Sequence, residues 1–144
     1  ATVVSQSGLA PHAQLLIYPA TDHPTARPSR TLYDGYLLTD ATRQAFWDVY
    51  TAGTGVADDD PLLSPIYGDL EGLAPALVVT AGFDVLRDEG EAYAHALEDA
   101  GTTVALYRQP SLPHGFINLT DVSRSARRAT ISMARRWRSF VDEV

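Results

Sequence analysis

Pro75-Ala76-Leu77-Val78-Val79-Thr80-Ala81-Gly82-Phe83-Asp84 is the stretch that decides the fold of this chain. Leu77 to Thr80 is short, apolar and rich in β-branched residues, the pattern of a strand buried on both faces of a parallel sheet. Gly82 is expected to break that run, leaving Asp84 just past its carboxyl end. Asp88-Glu89-Gly90-Glu91 then reads as a helix start, with Asp88 as its cap and Glu91 at the reciprocal capping-box position. Asp84 therefore falls in a strand-to-helix turn at the carboxyl edge of a sheet, where open α/β folds place ligands and catalytic groups.

Working outward, Leu15 to Tyr18 is a second buried strand, stopped by Pro19. Thr21 to Arg30, with two prolines, is expected to be loop. Asp40 is positioned to cap a helix running to about Tyr50, whose stripe of Phe46, Trp47, Val49 and Tyr50 suits core or lid packing. Thr51 to Pro61 is loop; turn chemistry accounts for Asp58-Asp59-Asp60, and no calcium-loop spacing surrounds them. A helix from about Glu89 to Ala100, with Ala92, Tyr93, Ala96, Leu97 and Ala100 on one face, ends at Gly101. Val104 to Tyr107 is the third strand, Ser111 to Phe116 a loop, and Val122 to Val141 a closing helix with Ala126, Met133, Trp137, Phe140 and Val141 inward. Strands alternating with helices predict a parallel sheet covered on both faces, with right-handed crossovers. The expected strand order is Leu15–Tyr18, Leu77–Thr80, Val104–Tyr107. Ala1 to Gln6 reads as the end of a helix begun earlier, so the chain is expected to be a piece of something longer.

With 144 residues the chain suits one domain with a modest core. It has no cysteine, which excludes disulfides and thiolate metal sites. No apolar run approaches the roughly 20 residues that cross a bilayer, and no signal peptide is visible, so a cytoplasmic protein that is not integral to the membrane is expected. A net charge of −7 argues against non-specific nucleic-acid binding. All eleven basic residues are arginine, and six lie between Arg124 and Arg138, where a solvated helix face accounts for them.

Asp84 and His114 carry the chemistry. Each follows a strand, and on neighbouring strands about 5 Å apart the two side chains can meet. An aspartate that accepts from one imidazole nitrogen fixes the histidine tautomer and stabilises the imidazolium formed when the other nitrogen takes a proton. Gly115 leaves room for a substrate to approach. The bland alternative is a satisfied loop histidine beside a capping aspartate.

Several motifs carry a family resemblance: Leu15-Leu16-Ile17-Tyr18-Pro19, Asp34-Gly35-Tyr36-Leu37-Leu38-Thr39, Ser64-Pro65-Ile66, Ala81-Gly82-Phe83-Asp84-Val85-Leu86-Arg87-Asp88-Glu89-Gly90 and Leu112-Pro113-His114-Gly115-Phe116. Residues 9 to 140 resemble the carboxyl-terminal half of the hormone-sensitive-lipase-like bacterial carboxylesterases, within the α/β-hydrolase fold. The acid-then-histidine order matches the later members of that fold's serine, acid, histidine series. The resemblance implies Asp84 as triad acid, His114 as general base, no cofactor and no metal, a small-molecule ester substrate, and residues 30–50 as part of a cap over an acyl pocket. It also implies a possible homodimer contact through Val104–Tyr107 and Val122–Val141. The family's Gly-Asp-Ser-Ala-Gly nucleophile elbow and its His-Gly-Gly-Gly oxyanion segment are not in this sequence, since Ser5-Gln6-Ser7-Gly8 is no such turn. The expectation is a partial catalytic domain that needs a nucleophile-bearing upstream half as partner to be soluble and active. Two rivals stand beside the esterase reading: a related peptidase or amidase, and a non-catalytic association module.

Overall fold

The computed structural model describes residues 8–144. The expected helix end at Ala1–Gln6 lies outside them. In chain order the elements are β1 (Gln14–Ile17), α1 (Pro28–Leu32), α2 (Asp40–Thr51), β2 (Ala76–Phe83), α3 (Arg87–Asp99), β3 (Val104–Pro113) and α4 (Arg124–Glu143). Short 3₁₀ turns lie at Pro65–Tyr67 and Phe116–Leu119. The three strands form one parallel sheet in the order β1-β2-β3, as expected.

β2 is central, and its alternation of side chains divides the core. Leu77, Val79 and Ala81 face a cluster built with Ala126, Ala129, Met133 and Phe140 of α4. Ala76 and Val78 face the other side, against Tyr93, Ala94 and Leu97 of α3. A strand buried on both faces must be apolar at every position, which is why its sequence is a continuous run rather than an alternation. Full burial of each large apolar side chain contributes about 1.5–3 kcal/mol, so this one strand anchors both helix layers.

Four local expectations are corrected. β2 does not break at Gly82 but continues to Phe83. Its register with β3 shifts between Ala81 and Phe83, and a Cβ at Gly82 would lie 2.0 Å from the Pro110 carbonyl oxygen. Gly82 is there to admit the neighbouring strand. β3 itself extends through Pro113, absorbing Ser111 to Pro113 that had been expected as loop. Pro28–Leu32 is a short helix inside the expected Thr21–Arg30 loop, and proline at its first position suits a helix start. The cap of α2 is Thr39, whose side chain accepts from the Thr42 amide, so Asp40 is the first helical residue. Ser123 caps α4 in the same way, through the Ala126 amide.

The expected capping box is also overturned. α3 begins at Arg87 with Leu86 at the cap position and no side-chain cap bond. The Asp88 carboxylate instead accepts from the Ser29 amide at 2.8 Å and from the Arg87 guanidinium. Glu91 turns to the sheet, accepting from the Thr80 hydroxyl at 3.0 Å and pairing with Arg108. Tertiary donors won over local ones because Ser29 and Thr80 are buried and need partners.

α2 differs in kind from the other long helices. None of its twelve residues is buried, and Phe46, Val49 and Tyr50 are largely exposed. Its aromatic stripe is therefore not core. Among the described residues no helix is long and apolar enough to cross a membrane.

Candidate active site

β2 and β3 deliver the two predicted site residues to the same edge of the sheet. Asp84 follows Phe83 directly, and His114 follows Pro113, the residue paired with Phe83. His114 Nδ1 lies 2.9 Å from Asp84 Oδ2. The other carboxylate oxygen of Asp84 accepts from the Leu86 amide at 2.9 Å, an Asx-type turn that orients the carboxylate plane. Asp84 is fully buried, whereas the His114 side chain is 24% exposed. The anion is thus dry and fixed, while the imidazole keeps one side open. Gly115 supports this placement with φ 70°, a left-handed turn that lets the chain leave β3 and enter the 3₁₀ turn beginning at Phe116.

Next to the imidazole is Tyr18, which follows β1. Its ring centroid lies 4.5 Å from that of His114 and 5.6 Å from that of Phe116. Tyr18 has φ 38°, and its amide donates to the Val79 carbonyl at 2.6 Å. Burial, and secondarily the charge of Asp84, raise the Tyr18 phenol above its ordinary value. The sequence reading took Pro19 only as a strand stop and missed Tyr18. The signal available was an aromatic residue between a buried strand and proline.

His114 opens into a cavity of about 440 Å³, walled by Phe46, Trp47 and Tyr50 of α2, by His23 and by Leu62. His23 was also missed. Its ring stacks on Trp47 with centroids 3.7 Å apart and planes 4° from parallel. Its Nδ1 lies 2.8 Å from Arg43 Nη1, so it must accept and the ring must be neutral. Burial and the adjacent Arg43 charge lower its affinity for a proton, with Asp58 opposing. Asp58 in turn accepts from the Trp47 indole at 3.0 Å. The Asp58-Asp59-Asp60 run thus serves the helix and a turn, Asp60 accepting from the Leu62 amide. No group of three or more metal-ligating side chains occurs among the described residues.

Beneath the cavity lies a buried polar knot. Glu89, 1% exposed, accepts from the Thr21 amide at 2.9 Å, from the Asp22 amide at 3.3 Å and from Arg30 at 2.8 Å. Burial drives its carboxyl up, with Arg30 pulling against it. Burial likewise acts to raise Asp22, but bonds from Arg27, Thr25 and Tyr67 outweigh it and hold Asp22 below the usual carboxylate range. These ties fix the loop after β1, and with it Tyr18 and His23, to the start of α3.

A sequence profile described as the alpha/beta hydrolase fold matches residues 1–118. The chain belongs to the hormone-sensitive-lipase-like α/β-hydrolases. This hydrolase chain is 41% identical over 141 residues to the carboxylic ester hydrolase LipN of Mycobacterium tuberculosis, covering 96% of the chain and 38% of LipN. It is 43% identical over 113 residues to Lipase 2 of a Moraxella species, covering 78% of the chain and 26% of that lipase. Among solved structures, a thermostable esterase from Pseudomonas putida superposes with a TM-score of 0.82 at 36% identity, over 91% of this chain and 43% of the esterase. The hydrolase chain thus spans less than half the length of each of these relatives.

Proposed function

We propose that this chain supplies the acid and the general base of a serine carboxylesterase, and that a nucleophilic serine and an oxyanion hole come from an upstream half of the same domain. The observation that carries the reading is the buried Asp84 carboxylate bonded to Nδ1 of a histidine whose other side faces a cavity. The names of the relatives support ester substrates.

The chemistry follows from the two nitrogens of one ring. With Asp84 accepting at Nδ1, the neutral tautomer carries its proton there and presents the Nε2 lone pair outward. Nε2 takes the proton of the serine hydroxyl as its oxygen bonds to the ester carbonyl carbon. Asp84 stabilises the resulting imidazolium. When the tetrahedral intermediate collapses, the carbon–alkoxy bond breaks and Nε2 returns the proton to the leaving alkoxide. Water then repeats the sequence on the acyl-enzyme and releases the acid. Residues 30–50 form part of a cap whose aromatic wall contacts the substrate's apolar portion. In this reading the isolated chain is inactive.

The test uses the complete hydrolase and a short p-nitrophenyl ester, with the matched anilide alongside. His114→Ala should abolish ester turnover with the fold intact, because His114 is the cavity imidazole oriented by Asp84, whereas His23 Nδ1 is engaged by Arg43. Near-normal kcat in that variant would overturn the reading. Faster turnover of the anilide would replace esterase by amidase.

A further inference from the structure

The backbone at Tyr18 is disfavoured twice over. A φ of 38° lies in the left-handed region, which aromatic residues rarely adopt. The residue before a proline is pushed towards extended conformations instead, and Tyr18 precedes Pro19. Tyrosine also lacks the short polar side chain that lets asparagine or aspartate tolerate this geometry. Such outliers persist where the surrounding structure over-determines them, and they cluster at functional sites.

What holds Tyr18 there is visible. Its amide is bonded to Val79 of the central strand, one step past the Ile17–Val79 pair that ends the β1 register. The strand therefore turns the chain immediately, and the turn lays the ring against His114. Phe116, fully buried, meets the same ring edge-on at 77°. His114 needs such a neighbour. Its side chain is partly exposed, it sits between a strand end and a left-handed glycine, and among the described residues Asp84 supplies its side-chain hydrogen bond. One hydrogen bond leaves the ring able to rotate away; an aromatic ring tilted 53° against it at 4.5 Å obstructs that rotation.

We infer that Tyr18 is a positioning residue for His114: its strained turn holds an aromatic ring, itself in contact with Phe116, against the imidazole, confining His114 to the rotamer that meets Asp84. The inference rests on His114 being the general base. The phenol hydroxyl is not required, since the contact is made by the ring. Burial, and secondarily the Asp84 charge, raise the phenol and keep it protonated beside the carboxylate, so it adds no competing charge.

The experiment compares Tyr18→Phe, Tyr18→Leu and Tyr18→Ala in the complete hydrolase on a short-chain ester. Misplacement of a catalytic group by about 1 Å can cost 10²-fold. Tyr18→Phe should keep kcat within about two-fold, whereas Tyr18→Ala should lose about 10- to 100-fold in kcat with KM nearly unchanged. The proton NMR signal of His114 Nδ1–H, shielded from exchange by the Asp84 bond, should persist in Tyr18→Phe and broaden in Tyr18→Ala. Tyr18→Leu keeps apolar volume without a planar face and covers an alanine variant that fails to fold; it should show the same loss. Unchanged kcat and an unchanged imidazole signal in the leucine variant would overturn the inference. So would an equal loss in Tyr18→Phe, which would place the effect on the hydroxyl. If His114→Ala is inactive while Tyr18→Leu is silent, only the positioning role falls; if His114→Ala is active, the general-base assignment falls with it.

Discussion

Asp88 and Ser29 cap each other's helices across 59 residues of sequence. The Asp88 carboxylate accepts from the Ser29 amide in the first turn of α1, and the Ser29 hydroxyl oxygen accepts from the Asp88 amide at 3.3 Å in the first turn of α3. The Ser29 hydroxyl then donates to the Val85 carbonyl, one residue from Asp84. This is the reciprocity of a capping box, built from two segments instead of one. It locks α1 to the turn that carries Asp84.

Removing this pair should be costly because Ser29 is fully buried. Asp88→Ala leaves the Ser29 amide without a partner, at about 1–3 kcal/mol. Ser29→Ala should cost a similar amount, and the double variant less than the sum, since the two act as one unit. Denaturant unfolding of the three variants measures this. Strict additivity would mean that the two residues are not coupled.

Asp84→Asn keeps shape and removes charge. An amide at this position can donate to Nδ1 and favour the tautomer that carries its proton on Nε2, the wrong nitrogen. We expect a loss of about four orders of magnitude in kcat in the complete hydrolase, with little change in thermal stability. A loss below ten-fold would remove Asp84 from the role of triad acid.

Gly82→Ala tests the close approach of β2 and β3. The added methyl would overlap the Pro110 carbonyl, which belongs to the backbone and cannot swing aside. The strands must separate at the point where β3 leads to His114. Destabilisation of at least about 2 kcal/mol is expected, with loss of activity in any protein that folds. An alanine variant of unchanged stability and activity would show that the shifted register between β2 and β3 is not needed.

His23 gives the fold a pH dependence whose sign can be worked out. Its ordinary value is 6.5, and burial and Arg43 lower it in the folded state. The unfolded chain therefore binds the proton more readily. The stability that neutral His23 contributes is fully present above 6.5 and is lost as pH falls below it. Melting temperature should fall between about pH 7.5 and 5.5 more steeply in the parent than in His23→Gln. Parallel curves for the two proteins would exclude His23 as the source.

The sheet and the Asp84–His114 pair were legible because their signals are local. An apolar β-branched run marks β2, and the two loop motifs end at fixed distances from strands. Asp88 was not legible as a partner of Ser29, because capping chemistry looks the same in sequence whichever helix the carboxylate serves. Gly82 was misread for a related reason. A glycine that ends a strand and one that admits a neighbour's carbonyl leave the same mark. Glu89 read only as part of a helix start, and only the fold shows Arg30 and two amides closing over it. Tyr18 escaped because hydrophobic pattern says nothing about the sign of φ.

The fastening of α2 has a consequence for how the molecule opens. Apart from its backbone connections, this helix is held largely through the His23–Trp47 stack, the Arg43 bond and the Trp47–Asp58 bond. It covers no core, so releasing it exposes little apolar surface and the remaining fold loses little by letting it go. Backbone amides of Asp40–Thr51 should exchange with deuterated solvent by local opening, orders of magnitude before those of Ala76–Phe83, whose release requires the whole sheet to come apart. A protease should make its first cut in the glycine-bearing segment Gly53 to Gly55 just beyond the helix. The side of the cavity contributed by α2 is therefore a door on its own free-energy scale, one that can swing without disturbing the bond between Asp84 and His114.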